Sequence, residues 1–416
     1  MSKRLLSRFL GSTIKLGTLT ARFADGSSET YGSPAEAYPD IRLAFTDGKV
    51  PRDILLDPRI GAAEAFMDGR LVIEQGDVMG LVQLLRSNAA WERGGALKPP
   101  SLTRRLRNRA KFVVQAFNDR TGSRRNVAHH YDIGNELYRL MLDPEHMQYS
   151  CAYWPEGVET LAEAQHAKLA HIAAKLALAD GQSVLDIGCG WGGMAIFLAR
   201  HFDVRVTGIT LSQEQLALAR TRAEEAGVAD RVSFELVDYR DLAARGARFD
   251  RIVSVGMFEH VGRPQFETFF RACANLLADD GVMLLHTIGR FGGPGVTDAF
   301  TNKYIFPGGY IPALSETLAA SEKVRLIHSD IETLRLHYAE TLREWYARCE
   351  ANREAIVAMY DERFYRMWTF YLSGATAAFE WGSMGNYQIQ FVRHRRALPI
   401  TRDYMAAAER RLLDAG

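Results

Sequence analysis

The sequence predicts an α/β fold, in which a doubly wound, Rossmann-like domain with a helical cap follows a small α+β domain. Three observations favour it. The chain has 416 residues, which is long for a single core and suggests two units. From residue 160 onward, short apolar runs alternate with segments of helical period, as in parallel sheets covered on both faces. Before that point, short mixed segments are separated by turn signals.

The N-terminal α+β domain is assigned to residues 1–98. Residues 75–91 have a helical pattern. In residues 2–15, apolar and basic side chains recur at helical spacing. Two interpretations stay open for this stretch: a helix packed on its own domain, or a basic amphipathic helix lying on an anionic membrane. Turn signals lie at 24–28, 46–49 and 67–70.

A basic segment, residues 99–128, is predicted to form a helical linker. Its basic residues fit either a solvated helix face or a patch for acidic lipid head groups. The formal net charge of the chain is only +1, so no overall field favours nucleic acid. No apolar run reaches the roughly 20 residues that cross a bilayer, and Arg8 interrupts the N-terminal apolar stretch, which argues against a signal peptide.

The cysteines indicate the compartment. There are four, far apart in sequence, which argues against a zinc site or a disulfide framework and favours reduced thiols in a cytoplasm. They are Cys151, Cys189, Cys273 and Cys349.

The larger domain is assigned to residues 129–416. Predicted helices in its first part lie at 161–176, 192–201 and 212–225, the last opened by a capping box of Ser212 and Gln215. Predicted strands lie at 184–187, 204–210, 232–237, 251–255 and 282–286. Segments 340–353 and 361–380 are predicted to form the helical cap, and 388–400 a closing strand.

A glycine-rich turn follows the first strand of this domain. Asp186 ends the strand, and glycines recur up to the next helix. Glycines at such a turn let backbone amides approach a ligand, and the helix N-terminus favours a negatively charged group. Strand two ends in 208–210 without the acidic residue that a dinucleotide site requires, which leaves Thr210 and Gln215 as polar substitutes. The turn predicts a small-cofactor site, with a purely structural turn or a nicotinamide dinucleotide site as alternatives.

Several long strings resemble one family, the cyclopropane-fatty-acyl-phospholipid synthases and their mycolic-acid-modifying relatives. The resemblance covers about residues 129–345, and the leading domain resembles that of the bacterial phospholipid-acting members. The strings are HHYDIGNELYRLML at 129–142, YSCAYW at 149–154, VLDIGCGWGG at 184–193, GITLSQEQ at 208–215, DRIVSVGMFEHVG at 250–262, LLHTIG at 284–289 and KYIFPGGYIP at 303–312.

The resemblance implies a Rossmann-like S-adenosylmethionine-dependent methyltransferase domain that forms a cyclopropane ring on a phospholipid acyl chain. It also implies a bicarbonate ion beside the sulfonium of the cofactor. One position departs from some members, because Ala375 stands where they carry a cysteine, so no covalent catalysis is assigned. The implied cofactor contacts are Tyr149, Ser150, Asp186, Gly188, Gly190, Trp191, Gly192, Thr210 and Gln215. The implied bicarbonate ligands are Cys151, Glu259, His286, the backbone of Ile288, and Tyr338.

The implied chemistry needs a dry pocket and a base near a carbocation. Glu259 and His286 each follow or end a predicted strand at the ligand-binding edge of the sheet. We expect His286 and Tyr338 to donate hydrogen bonds to the ion, while Glu259 orients it and receives a proton. Structural alternatives stay open: a core histidine at 286, a helix-start acid at 259, and an inert buried thiol at Cys151.

The resemblance further implies an unsaturated phospholipid substrate, a homodimer, and a peripheral location at the cytoplasmic face of the membrane. We expect an apolar tunnel for the acyl chain, with the aromatic-rich insertion 300–314 either in its wall or as a structural cluster. Two other functions stay open. One is a C-methyltransferase that yields methyl-branched or methylene lipids, and the other is a non-catalytic lipid-binding protein.

Overall fold

The computed structural model of the protein describes residues 2–58, 60–95 and 134–414. The predicted linker 99–128 and the first residues of the string at 129–142 lie outside the described residues. The strands are β1 Gly17–Arg22, β2 Ser28–Ser33, β3 Asp40–Phe45, β4 Leu71–Gln75, β5 Ser183–Ile187, β6 Arg205–Thr210, β7 Val232–Leu236, β8 Phe249–Val255, β9 Leu277–Arg290, β10 Ile327–Leu334 and β11 Met384–Val392.

Helices make up most of the rest of the described chain, and short 3₁₀ turns lie at Trp91–Arg93, Phe258–His260 and Arg263–Gln265. The helices are α1 Ser2–Thr13, α2 Val50–Leu56, α3 Gly61–Met67, α4 Val78–Ser87, α5 Asn135–Met141, α6 Leu161–Leu176, α7 Gly193–His201, α8 Gln213–Glu225, α9 Tyr239–Ala244, α10 Phe266–Leu276, α11 Ala299–Tyr304, α12 Leu314–Glu322, α13 His337–Ala351, α14 Arg353–Met359, α15 Glu362–Glu380 and α16 Asp403–Asp414. No helix in the described ranges has the length and apolar content needed to cross a membrane.

The described residues form two compact units. The first combines the N-terminal elements with Thr297–Pro307 and Leu342–Met384, and the second holds the remaining elements. The predicted boundaries at 98 and 128 lie outside the described residues and stay predictions. The first unit includes two later segments that the sequence pattern did not associate with it.

The first unit is built around a four-stranded sheet of order β2-β1-β3-β4. Strands β1 and β2 form an antiparallel hairpin, and β3 lies parallel to β1. Helix α1 buries Leu6 and Leu10 against this sheet's core, as the first interpretation of its pattern expects. Asp77 caps the N-terminus of helix α4, where its side chain accepts a hydrogen bond from Gly80 N at 2.7 Å. The expected α+β character is confirmed.

The C-terminal helices of the first unit correspond to the predicted segments 340–353 and 361–380. They are α13 and α15, and the described part of the first unit contains most of both. Trp381, next after α15, donates from its indole Nε1 to Gln83 Oε1 of α4 at 2.6 Å. This partly buried bond links the end of α15 to α4 of the same unit.

The second unit is a seven-stranded sheet of order β10-β11-β9-β8-β5-β6-β7. Strands β9, β8, β5, β6 and β7 run parallel to one another, while β10 and β11 pair antiparallel. Successive residues of one strand enter opposite cores: Leu284 packs with α6 and α7, while Met283 and Leu285 pack with α10. This two-sided burial is the expected doubly wound arrangement.

The parallel register places the carboxyl ends of the central strands at one edge. Asp186 of β5 lies opposite Gly208 of β6 and Val253 of β8, and Val255 lies opposite His286 of β9. The prediction that His286 ends its strand is wrong, because β9 continues to Arg290. Strand β11, on the other side of β9, gives it a neighbour beyond the end of β8. The predicted closing strand 388–400 is shifted, since β11 spans Met384–Val392.

Candidate active site

The glycine turn after β5 has three glycines with positive φ, at +82° for Gly188, +54° for Gly190 and +82° for Gly192. A Cβ on Gly188 would lie 2.8 Å from Met257, and one on Gly192 would lie 2.7 Å from Phe234. A Cβ on Gly190 would meet no atom of the described protein within 4 Å. Packing therefore requires glycine at 188 and 192, whereas Gly190 faces open space.

That space is a cavity of about 1140 Å³, open mouth included, at the carboxyl edge of the sheet. Ligands of doubly wound folds bind at this edge. All but one of the predicted cofactor contacts line it: Tyr149, Ser150, Asp186, Gly188, Gly190, Trp191, Thr210 and Gln215. Gly192 instead lies next to the cavity, where it precedes α7.

The polar residues that follow β6 in the cavity wall are hydrogen-bonded to one another. Thr210 Oγ1 donates to Gln215 Oε1 at 3.0 Å and accepts from Ser212 N at 3.1 Å. Ser212 Oγ accepts from Gln215 N at 3.3 Å, which is one half of the predicted capping box. The Gln215 side chain binds Thr210 and lines the cavity, so it holds the wall instead of closing the box.

The rings of Tyr149 and Trp191 line the cavity, and both pack on Tyr138. The ring centroid of Tyr138 lies 5.0 Å from that of Tyr149 and 4.9 Å from that of Trp191. Trp191 Nε1 donates to Asn135 Oδ1 at 2.9 Å. Electron-rich faces attract a cation, so this wall suits a positively charged ligand.

A tight loop before Tyr149 completes that wall. The Asp143 carboxylate accepts hydrogen bonds from the backbone amides of His146 at 2.6 Å and Gln148 at 3.0 Å. A Cβ on Gly193 would lie only 2.2 Å from His146 O, so the loop packs directly on the start of α7. The fourth glycine of the turn thus serves this loop rather than the ligand.

A buried lysine and a buried aspartate lie beneath the cavity. The Lys168 ammonium of α6 donates to Ser150 Oγ at 3.1 Å and to Gln148 Oε1. Burial lowers the pKa of Lys168 to about 7 and raises the pKa of Asp186 to about 7. Asp186 Oδ2 has no hydrogen-bond partner among the described residues. Lys168 was not predicted as a site residue, although a lysine on the apolar face of α6 is a sequence signal.

Asp238 is a second missed residue of the cavity wall. It follows β7 at the same edge, and its carboxylate accepts from the Arg240 guanidinium at 2.8 and 2.6 Å. It also caps α9 by accepting from Arg240 N at 2.9 Å. An acidic residue was expected only after strand two, and the same rule applied to the next strand predicts Asp238.

Glu259 lies in the 3₁₀ turn after β8, with its carboxyl group buried. Its Oε1 accepts from Ile288 N at 2.6 Å, and Oε2 has no hydrogen-bond partner within the described part of the chain. Burial raises the pKa of Glu259 to about 7, although the hydrogen bond from Ile288 acts in the opposite direction. Two predicted site residues are therefore in direct contact, and a carboxyl group poised near neutrality is available at this edge.

His286 is buried on β9 between two amide side chains of β11. Asn386 Nδ2 lies 2.6 Å from its Nε2, and Gln388 Nε2 lies 3.1 Å from its Nδ1. Burial, with the nearby ammonium groups of Lys168 and Lys175, holds the pKa of His286 well below its ordinary value. The ring is neutral at physiological pH and is hydrogen-bonded through both nitrogens.

Cys151 and Tyr338 lie on two segments that are joined by hydrogen bonds. Ala152 N donates to Thr341 Oγ1 at 3.1 Å, and Trp154 N donates to His337 Nδ1 at 2.8 Å, so the chain after Cys151 rests on the start of α13. Tyr338 is buried on the same part of α13. Burial raises the pKa of the Cys151 thiol far above its ordinary value, so the thiol stays protonated.

The aromatic insertion 300–314 is divided between the two units. In the first unit, Phe300 packs on Phe370 at 5.0 Å between ring centroids, and Tyr304 donates to Glu64 Oε1 at 2.7 Å. In the second, Tyr310 N donates to Glu259 O at 2.9 Å. The structural-cluster interpretation thus accounts for Phe300 and Tyr304, while Tyr310 supports the turn that carries Glu259.

Comparison with known proteins identifies the family. A family model described as mycolic acid cyclopropane synthetase matches residues 118–389. The chain belongs to this family. It is 39% identical over 357 residues to the cyclopropane-fatty-acyl-phospholipid synthase of Escherichia coli K12, across 85% of this chain and 88% of that protein. It is also 42% identical over 289 residues to a probable fatty acid methyltransferase of Pseudomonas putida, across 67% of this chain and 73% of the relative.

Solved structures agree with this assignment. The cyclopropane synthase MmaA2 from Mycobacterium tuberculosis has a TM-score of 0.61 at 32% identity and matches 64% of this chain and 97% of its own. The mycolic acid cyclopropane synthase CmaA1, solved in complex with SAH and CTAB, has a TM-score of 0.61 at 33% identity over the same shares. The expected Rossmann-like methyltransferase fold is confirmed.

Proposed function

We propose that this member of the mycolic acid cyclopropane synthetase family transfers a methylene group from S-adenosylmethionine to a cis double bond of an unsaturated phospholipid acyl chain. The product is a cyclopropane fatty acid. The observation that carries the proposal is the cavity at Gly190, with the buried, near-neutral Glu259 on the same sheet edge. The Escherichia coli relative, which matches most of the chain, is named for this reaction.

The cavity residues fit S-adenosylmethionine by shape and charge. Gly190 leaves room where any side chain would intrude, and the rings of Tyr149 and Trp191 suit a sulfonium cation. The orphaned Oδ2 of Asp186 is a buried acceptor that a polar ligand group would satisfy. Thr210, Gln215 and Asp238 supply polar groups for the ribose and adenine end. We infer that these residues hold the cofactor.

The protein's own residues then control where charge and protons go. When bound, the cofactor would supply an electrophilic methyl group to a cis-alkene and be released as the neutral thioether S-adenosylhomocysteine, leaving a carbocation on the acyl chain. Cys151 and Glu259 are both buried, and because the Cys151 thiol stays protonated it does not compete as a nucleophile. Glu259 is ionised in part near neutral pH and receives, directly or through an ion, the proton whose loss closes the ring.

The implied bicarbonate ligands fit an anion in part. Cys151, His286 and Tyr338 are buried, but the Cys151 thiol donates to Ala152 O at 3.2 Å and both His286 nitrogens are hydrogen-bonded to amides of β11, so an ion would have to displace or share these partners. The Ile288 amide already donates to Glu259, so an ion would have to share that donor. We propose that bicarbonate binds here with Glu259 oriented by Ile288.

Product analysis tests the reaction. Expression in a bacterial host that lacks the activity is expected to yield phospholipid acyl chains heavier by one CH₂, with cyclopropane proton signals in NMR and matching loss of alkene signals. A mass gain of one CH₂ without ring signals would contradict ring closure. That outcome would favour C-methylation, the alternative suggested by the name of the Pseudomonas putida relative. Unchanged lipids together with no binding of S-adenosylmethionine in calorimetry would leave a non-catalytic lipid-binding protein.

We further propose that the protein acts peripherally at the cytoplasmic face of the membrane, as a homodimer whose two basic surfaces meet one bilayer. The outer face of α1 supports this location. Leu5 and Phe9 remain 48% and 41% exposed, and Arg4, Arg8 and Lys15 are exposed beside them. Apolar side chains that insert and basic ones that meet anionic head groups are the pattern of an interfacial helix.

A vesicle-binding measurement tests this face. Substitution of both Leu5 and Phe9 by serine is expected to weaken binding to anionic vesicles roughly 10-fold or more, because each half-exposed side chain loses about 1 kcal/mol of insertion energy. The matched control replaces Leu56 and Val72, which are 69% and 40% exposed in the same unit, by serine. Equal weakening in both variants, or equal binding to neutral vesicles, would argue against α1 as the contact.

A further inference from the structure

Three buried amides follow one another on the same face of β11. Asn386, Gln388 and Gln390 alternate along the strand and are each about 1% exposed or less. Two of them bracket the His286 ring: Asn386 lies at Nε2 and Gln388 at Nδ1. Polar side chains at three consecutive inward positions of a central strand carry a cost unless each is bonded, so their pairing defines what they do.

The orientation of the Gln388 amide is set from its other end. Lys175 of α6, itself buried, donates to Gln388 Oε1 at 2.6 Å and pairs with Glu332. An ammonium group has three donors and no acceptor, so it binds the oxygen of the amide and not the nitrogen. The end of Gln388 that faces His286 Nδ1 is therefore the NH₂ group, a donor.

This orientation decides which nitrogen of His286 carries the proton. Nδ1 accepts from Gln388 and must present a lone pair, and a neutral imidazole then carries its hydrogen on Nε2. That N–H needs an acceptor on Asn386. Asn386 Oδ1 is the one polar atom of this amide that lacks a partner among the described residues, and a half-turn of the amide brings it to Nε2.

We propose that Gln388, oriented by Lys175, is a positioning residue that locks His286 in the Nε2–H tautomer. His286 is then a hydrogen-bond donor at Nε2, where Asn386 accepts in the protein without ligands, and it offers no base. Its role in catalysis rests on the proposed function: a bound anion would share the Nε2–H with Asn386 or replace Asn386 as its acceptor, while proton acceptance stays with Glu259 or that anion. The tautomer itself is a property of the protein without ligands.

Nitrogen NMR on the full-length protein labelled with ¹⁵N-histidine tests the tautomer directly, because protonated and unprotonated ring nitrogens have well-separated shifts. The His286 signals are identified by their loss in His286→Asn. In the wild type at neutral pH we expect Nε2 to be protonated and Nδ1 to be unprotonated. Protonation on Nδ1 would overturn the proposal, whatever the enzyme's activity.

The informative variant is Gln388→Glu, whose carboxylate accepts a hydrogen bond at His286 Nδ1 where the amide donates one. We expect the His286 hydrogen to move to Nδ1 and turnover to fall roughly 10- to 100-fold. This loss is smaller than the roughly 10⁴-fold loss in a protease triad whose histidine has the wrong tautomer. Asn386→Asp keeps an acceptor at Nε2 and is expected to retain the wild-type tautomer. An unchanged tautomer in Gln388→Glu would contradict the proposal.

The matched control is Gln390→Glu, the same change on the same face of β11. Gln390 donates to Lys175 O at 2.5 Å and to the Tyr404 hydroxyl at 2.8 Å. It therefore shares the cost of a buried carboxylate without touching His286. We expect the wild-type His286 spectrum in this variant. A tautomer change in both variants would reveal a general loss of packing and count against the specific role of Gln388.

The spectrum and the lipid assay separate two failures. The expected spectrum with no cyclopropane product would uphold the tautomer lock and refute the proposed reaction. The expected product with an Nδ1–H ring would do the reverse.

Discussion

Glu259→Gln is expected to lower product formation roughly 10²- to 10³-fold while S-adenosylmethionine binding survives, the scale of loss when a positioned general base is removed. Glutamine has the same shape and keeps an oxygen for the hydrogen bond from Ile288 N, which is 2.6 Å long in the wild type. What it loses is the capacity to be ionised and to receive a proton. Calorimetry with the cofactor and a turnover assay on phospholipid vesicles give the two readouts.

The matched control for this change is Glu316→Gln in the same unit. Glu316 is also nearly buried, at 8% side-chain exposure, and also accepts a backbone hydrogen bond, from Ala313 N at 3.0 Å. We expect it to lose stability through its ion pair with Arg263 and to retain turnover per folded molecule. Unchanged turnover in Glu259→Gln, or an equal loss in both variants, would remove Glu259 from the mechanism.

The pH profile gives an independent measure of the same group. Burial raises the pKa of Glu259 from its ordinary 4.5 to about 7 in the folded protein. Wild-type turnover is therefore expected to rise with pH through about 7, as the carboxyl group ionises, and the Glu259→Gln profile to lack this rise. A flat wild-type profile through this range would show that ionisation of Glu259 does not limit turnover.

Stability should move in the opposite direction. The unfolded chain releases the Glu259 proton above about pH 4.5, whereas the folded protein holds it until about 7. Between these two values the free energy of unfolding therefore falls as the pH rises. We expect the wild type to lose stability relative to Glu259→Gln across this window, which thermal unfolding at several pH values measures.

Elements whose sequence signals lie within the element itself were predicted correctly. Helix α6 spans Leu161–Leu176 as predicted, because Thr160 and Glu163 form a capping box and apolar residues repeat at helical spacing behind it. The glycine turn was found for the same reason: a strand, its glycines and the following helix are contiguous. The cofactor contacts carried over from the family strings line the cavity, with the exception of Gly192.

What the sequence missed depends on partners that are far apart along the chain. The neighbours of His286 are Asn386 and Gln388, and sequence distances of 100 and 102 residues separate the bonded groups. Nothing local shows that β11 lies beside β9. β9 was predicted to be too short for the same reason. Its last residues pair with a neighbouring strand, and the sequence of β9 itself does not reveal that strand.

Other wall residues follow sound rules that were applied too narrowly. The assignment of Gly192 to the cofactor stays a prediction, although its φ of +82° and the nearby Phe234 ring also give it a packing role. Asp238 obeys the rule that polar groups at strand ends meet ligands, but only the end of strand two was considered. Lys168 lies on an apolar helix face, where a lysine is costly unless it has partners such as Ser150.

The glycine turn supplies the second large effect: Gly190→Leu is expected to weaken S-adenosylmethionine binding more than about 100-fold, or nearly 3 kcal/mol. A Cβ at Gly190 meets no described protein atom within 4 Å, so the leucine side chain has space only in the cavity that the cofactor is proposed to fill. Isothermal calorimetry with the cofactor measures the loss, and thermal unfolding measures the cost to the fold.

The fold cost needs its own reference, because φ at Gly190 is +54° and a side chain there is strained by about 1–2 kcal/mol. Gly246→Leu provides it: Gly246 has φ +75°, an ideal Cβ there also meets nothing described within 4 Å, and the residue is not part of the cavity wall. Both variants should lose similar stability, since both pay the same backbone strain. Only Gly190→Leu should lose the cofactor, and equal binding by the two would place the cofactor elsewhere than against this turn.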